Sequence, residues 1–154
     1  MPSTKCGFNN IPGHPPADQA LQTWGPLLFV DIGFDPNYVG GPNAAAPVPG
    51  KTQLPALVDT GASVSCIDSL LAAQLNLPII NRTMRSGVHG AKEVNIHMAQ
   101  VHIPGLNFTI YGQFTAADLR IGGQSIDTLI GRSFLRHFKM IYDGTTGDVE
   151  IIGS

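Results

Sequence analysis

The sequence is poor in cysteine, in charge and in long apolar runs, and each shortage removes a class of protein. Two cysteines, Cys6 and Cys66, make no disulfide framework, and neither sits in a metal-ligand or redox spacing. Charged residues are 13% of the 154, about half of the ~25% usual in a soluble domain, while the hydrophobic fraction is an ordinary 43%. Some apolar surface is therefore expected to meet a partner. A formal net charge of −2 gives no basic excess of the kind that draws a protein to nucleic acid or anionic lipid. No apolar stretch approaches the ~18 residues of a membrane span, and no apolar h-region follows Met1–Gly7. The expectation is a soluble, cytoplasmic chain that binds neither nucleic acid nor membrane. The sequons at Asn81 and Asn107 would accept glycans only in a eukaryotic secretory setting. No internal repeat is visible.

What is present is a succession of short β-prone runs punctuated by Gly and Pro. Residues 1–23 carry Pro2, Pro12, Pro15 and Pro16 with little periodicity, and read as an extended or disordered arm without secondary structure. Residues 24–154 read as one domain. Leu27–Ile32 is a strand, and a Pro-, Gly-, Asn- and Ala-rich insertion at 35–52 precedes a second strand over Leu54–Val58. After an apolar run from Val64 to Ile67, Asp68 or Ser69 caps a short helix with Leu71 and Leu75 on one side. Strands follow over 94–103 and 108–116, parted by a turn at Pro104-Gly105. Residues 129–138 read as strand, glycine and short helix, and residues 139–142 with 148–152 close as a hairpin. Many short strands with one or two short helices predict a small, all-β closed barrel.

The chemistry is carried by Leu57-Val58-Asp59-Thr60-Gly61-Ala62-Ser63. A carboxylate that ends an apolar strand and meets Thr and Gly at once sits in a tight turn, where Gly permits close backbone approach and Thr can tie the loop. Farther on stands Thr128-Leu129-Ile130-Gly131-Arg132-Ser133-Phe134-Leu135. Asp-Thr-Gly-Ala after an apolar strand, followed later by apolar-apolar-Gly-Arg before a short helix, closely resembles the retroviral proteases and their bacterial and cellular retropepsin-like relatives. The resemblance runs from about Leu27 to Ile152.

That resemblance implies a retropepsin-like acid-protease barrel, active as a symmetric homodimer, with Asp59 catalytic and Thr60, Gly61 and Ala62 shaping its loop. Leu129, Ile130, Gly131 and Arg132 would pass behind the loop and support it. The family's flap would fall at Gly87, Val88, His89 and Gly90, where glycines let a hairpin tip bend over substrate. Aspartic proteases need two carboxylates sharing one proton. This chain has one Asp-Thr-Gly, since Asp127-Thr128-Leu129 and Asp143-Gly144-Thr145 do not reproduce it, so the second must come from a second copy. The implied activity is an aspartic endopeptidase acting on extended polypeptides, with hydrophobic residues near the cut and no cofactor.

Two features set the chain apart from the retroviral enzymes. Those follow their Ala with an Asp that pairs with the Arg of the Gly-Arg segment, whereas Ser63 stands here and leaves Arg132 without an assigned partner. Their termini interleave into an interface sheet, a role Val149–Ile152 could take. The bland reading of Asp59 is a turn residue closing a strand. A five-residue offset puts His97 and His102 on opposite faces of a strand, so no metal site is expected. His14 and His137 read as solvated, and Trp24 as core or interface. The rival functions are a non-catalytic dimerisation or peptide-binding module of the same shape, and a latent precursor held back by residues 1–23.

Overall fold

A computed structural model describes residues 2–41, 43–87 and 90–153. Three strands form first along the chain: β1 over Ser3–Lys5, β2 over Leu27–Gly33 and β3 over Lys51–Val58. Then come β4 over Cys66–Asp68, β5 over Ile79–Gly87, β6 over Gly90–Ile103 and β7 over Phe108–Ala117. The last three are β8 over Thr128–Ile130, β9 over Lys139–Asp143 and β10 over Asp148–Ile152. Helices are α1 over Ala17–Trp24, α2 over Ser69–Gln74 and α3 over Arg132–Leu135, with a 3₁₀ turn at Pro104–Leu106. None of the described helices is long and apolar enough to cross a membrane.

Six strands close on themselves in the order β2-β3-β8-β4-β7-β6, with the seam made by Asp31 opposite His102 and Ile32 opposite Val101. Closure leaves these strands without open edges. Strand alternation decides what fills the barrel. Leu28, Val30 and Ile32 point inward from β2, and Leu54, Ala56 and Val58 from β3, where they meet Ile67, Ala99, Val101, Phe114 and Ile130. The small all-β closed barrel expected from the sequence is the architecture observed. β5 pairs only with β6, and the two form a long hairpin standing off the barrel.

α2 begins as expected: Asp68 Oδ2 accepts from the Leu71 N–H at 3.2 Å. Two expectations need correction. Three short α-helices occur among the described residues rather than one or two, because α1 lies almost wholly within the supposed arm. Residues 1–23 are also not free of structure. β1 pairs with β10, the Cys6 N–H donates to the Val149 carbonyl at 2.9 Å, and the Leu27 N–H donates to the Cys6 carbonyl at 2.8 Å. Cys6, Ala17, Ala20 and Leu21 are buried. The prolines that suggested disorder are compatible with this packing, since Pro16 precedes the first turn of α1, where a missing N–H costs nothing. Gly147 shows how tight the contact is. At φ 81° it abuts α1, and a Cβ there would sit 2.4 Å from the Ala17 carbonyl.

The same packing removes β10 from the interleaving role considered for Val149–Ile152. Its two edges are occupied within the chain, by β9 on one side and β1 on the other.

Candidate active site

The site is built where the chain crosses behind itself. β3 leads into a loop over 59–65, and β4 leads out of it; β8 lies between those two strands, parallel to β3 and antiparallel to β4. Ala56, Leu57 and Val58 therefore stand level with Thr128, Leu129 and Ile130. The 59–65 loop has to arch over the end of β8, and its backbone groups find partners there. The Asp59 N–H donates to the Ile130 carbonyl at 2.9 Å, the Arg132 N–H to the Ala62 carbonyl at 2.8 Å, and the Ser133 N–H to the Ser63 carbonyl at 3.1 Å.

Asp59 is half-buried at the head of the loop. The Gly61 N–H donates to its Oδ1 at 2.9 Å, an Asx turn that fixes the carboxylate relative to the backbone. Oδ2 accepts no hydrogen bond among the described residues. Gly131 is where the two segments come closest. A Cβ there would lie 2.5 Å from the Val64 carbonyl oxygen and 2.9 Å from that of Ala62, so only glycine fits.

The structure thus brings together Asp59, Thr60, Gly61 and Ala62 on one side and Leu129, Ile130, Gly131 and Arg132 on the other. Thr60 acts differently from the expectation. Its hydroxyl makes no hydrogen bond among the described residues, and its carbonyl instead accepts from Arg132 Nη1 at 2.7 Å. That bond answers what Arg132 pairs with when Ser63 replaces an acid: a backbone oxygen of the loop itself. Gly87 and Gly90 end the β5–β6 ladder opposite one another, Gly90 at φ 100°, while Val88 and His89 lie outside the described residues.

Three contributors escaped the sequence reading. Ser65 is buried; its Oγ accepts from the Gly131 N–H at 3.0 Å and lies 3.1 Å from Ser133 Oγ. A lone hydroxyl in the apolar run Val64–Ile67 was the available signal, since buried polar groups need partners. Asp127, 7% exposed, takes a bidentate pair from Arg120, Nε to Oδ1 at 3.1 Å and Nη2 to Oδ2 at 2.8 Å. This bond first, with the charges of Asp127 and Asp68, holds the Arg120 guanidinium above its ordinary pKa against the opposing effect of desolvation. The Asp127 N–H and C=O also bridge β3 and β4, through the Pro55 carbonyl and the Asp68 N–H, so the residue locks the entry of β8. The third is Arg85, whose Nη1 donates to Cys66 Sγ at 3.3 Å.

His97 and His102 are held separately, by the Leu77 carbonyl and the Thr109 hydroxyl. No group of three or more His, Cys, Asp or Glu placed to hold a metal occurs among the described residues.

The sequence over residues 45–137 matches the family described as "gag-polyprotein putative aspartyl protease", a span that holds Asp59 and Gly131-Arg132 and more than half of the chain. The chain belongs to that family. Among solved structures it is similar to EIAV protease complexed with the inhibitor HBY-793, at 22% identity, covering 72% of this chain and 85% of that one with a TM-score of 0.46. It is also similar to the simian foamy virus (mac) protease, at 15% identity, 71% and 91% coverage and a TM-score of 0.47. A third is the retroviral protease-like domain of Ddi1 from Leishmania major, at 17% identity, 83% and 94% coverage and a TM-score of 0.45. No curated protein matches.

Proposed function

We propose that the chain is an aspartic endopeptidase whose active form is a homodimer, with one Asp59 from each copy flanking a single water. The observation that carries this reading is the placement of Asp59: one oxygen fixed by the Gly61 N–H, the other open, on a loop braced from behind by β8 and Gly131. Family membership supports the same chemistry. In the reaction, one ionised Asp59 takes a proton from the water as its oxygen attacks the peptide carbonyl carbon, and the other, protonated, donates to the carbonyl oxygen. Collapse of the tetrahedral adduct returns a proton to the leaving nitrogen as the C–N bond breaks.

The reaction needs one of the two carboxylates ionised and the other protonated, the pair sharing one proton. Activity is therefore expected to be best below neutral pH, where that shared proton is retained. The glycine-ended β5–β6 hairpin is suited to act as a flap over an extended peptide bound by strand-like hydrogen bonds. For the dimer, the outer edge of β9 carries Ile141 and Tyr142, 46% and 53% exposed, and offers a strand edge that β10 no longer has.

The test is cleavage of a diverse peptide mixture between about pH 4 and 7 by concentrated wild type beside Asp59→Asn. Cuts made by wild type and absent in the variant, with specific activity rising with protein concentration, are expected. A dimeric sample that makes no Asp59-dependent cut overturns the reading in favour of a peptide-binding module.

A further inference from the structure

The face of the sheet that carries Asp59 extends sideways to an arginine that the reaction does not use. Leu57 and Asp59, two residues apart, point to one side; Leu129 is level with Leu57 across β3–β8 and with Cys66 across β8–β4. The alternate residues Ala56, Val58, Thr128, Ile130 and Ile67 fill the barrel. Leu57 and Leu129 are partly open, as befits a cleft floor. Cys66 shares their face yet is only 1% exposed, with the Arg85 guanidinium held against it through Nη1 and Sγ. The space between the β5–β6 stem, the end of β7 and the start of α2 is a cleft of about 560 Å³, with Arg85, Lys92, Ala116, Ala117 and Asp118 among its walls.

Two cations, Arg85 and Lys92, and two carboxylates, Glu93 and Asp118, line that cleft, and Arg85 is the one of the four in no ion pair among the described residues. Arg85 and Lys92 are direct partners on the β5–β6 ladder, and like charges so placed repel. Lys92 is answered by Asp118 Oδ2 at 3.0 Å, and Asp118 also accepts from Ser69. Those two bonds, Ser69 first, hold the Asp118 carboxyl below its usual range. Glu93, which also lines the cleft, is level with Met84 on the ladder and is met by Arg82 at 3.6 Å. Arg85 has no carboxylate within ion-pair distance among the described residues. Its one hydrogen-bond partner is a thiol, a weak acceptor for a group with five N–H donors in a planar fork. An exposed guanidinium beside a like charge, in the wall of a cleft and in contact with Cys66 on the sheet face that carries Leu129 and Leu57, is placed to take an anion from outside the chain.

We propose that Arg85 sets substrate specificity by receiving the side-chain carboxylate of an Asp or Glu in the bound peptide, close to the scissile bond. This rests on the peptide-cleaving reading of the same site. It adds one acidic position to an otherwise apolar recognition surface, with Arg85 forming the bidentate pair that this geometry favours and Lys92 adding charge from across the ladder. Arg85 is a binding residue and takes no part in the proton transfers.

The experiment has two arms, both using the whole chain. In the first, a randomised peptide library is cleaved by wild type, Arg85→Ala and Arg85→Glu, each checked for an unchanged melting temperature. Wild type is expected to require Asp or Glu at one position near the cut. The ratio of kcat/KM for the best acidic peptide over its Asn or Gln counterpart should fall by about ten- to a hundredfold in Arg85→Ala, mostly through KM, as loss of a charged hydrogen-bonded pair implies. In Arg85→Glu the preference should turn to Lys or Arg. In the second arm the library is panned on immobilised Asp59→Asn protein, with and without Arg85→Ala, so that recognition is read without hydrolysis. Asp59-dependent cuts with no acidic preference overturn the role of Arg85 and leave the protease reading standing. Acidic peptides retained by Asp59→Asn and lost with Arg85→Ala, from a wild type that cuts nothing, uphold the acidic subsite and overturn hydrolysis. Neither cuts nor acidic retention overturns both.

Discussion

The crossing at residues 59–65 and 128–133 and the β5–β6 hairpin are both made of short β segments, yet they are held in opposite ways. At the crossing each segment is braced by chain remote in sequence. Arg132 and Thr60 are 72 residues apart, and Asp59, Ala62, Ser63 and Ser65 all bond to the β8–α3 stretch. The outer hairpin is braced mainly by itself. Residues 81–86 are exposed, and among the described residues the hydrogen bonds that tie 81–95 to the body, apart from their own ladder, are Arg85 to Cys66 and Lys92 to Asp118. A proteolytic site of the kind proposed needs this division: a carboxylate that must not move beside a cover that must.

The comparison can be broken hardest at its chemical centre. Asp59→Asn keeps an acceptor for the Gly61 N–H, so the fold should melt unchanged while peptide cleavage falls by at least ~10³-fold, as mass spectrometry of products would show. Next comes the brace. Gly131→Ala forces a methyl against the Val64 and Ala62 carbonyls and is expected to cost about 3 kcal/mol in urea unfolding, with activity lost beyond what the unfolded fraction explains. Arg120→Ala leaves Asp127 buried without its fork; because the arginine is itself 41% exposed, the expected cost is about 2 kcal/mol. Ser65→Ala strands the Gly131 N–H and should cost ~1–2 kcal/mol. In contrast, Met84→Ser on the exposed hairpin stem should stay within ~0.5 kcal/mol of wild type. Amide hydrogen exchange sharpens the same contrast: residues 82–86 should exchange well before residues 58, 59 and 131.

The smallest expected effect concerns the terminal sheet. Burial, and then the charge of Asp148, pushes the Cys6 thiol up to about 12, so the reactive thiolate is scarce at any ordinary pH. Alkylation of Cys6 should therefore follow unfolding. Rapid labelling of Cys6 in the native protein would show that residues 2–8 leave the sheet.

What the sequence disclosed and what it hid divide along the same line. Asp59-Thr60-Gly61 and Leu129-Ile130-Gly131-Arg132 were legible because each encodes its own local geometry: an apolar strand, then a turn or close approach that demands glycine. The barrel was legible from alternation, with Leu54, Ala56 and Val58 spaced to face one side. β1 was not, because three residues, Ser-Thr-Lys, carry no alternation and become a strand only by lying along β10. The Arg132 bond to Thr60 and the Arg85 contact with Cys66 were hidden for a related reason. Both depend on register between segments distant in sequence, which composition does not encode.

The threading of β8 between β3 and β4 also bears on the order in which the molecule comes into being. A hairpin such as β9–β10 can close within microseconds on its own, whereas the crossing must wait until residues 128–130 find a slot whose two walls were laid down some seventy positions earlier. Long-range closures of this kind come late and slowly. The Asx turn at Asp59 is local, but the brace of the loop, from the Asp59 N–H to the Ile130 carbonyl, exists only once β8 is seated, so the site is completed with the barrel and not before it.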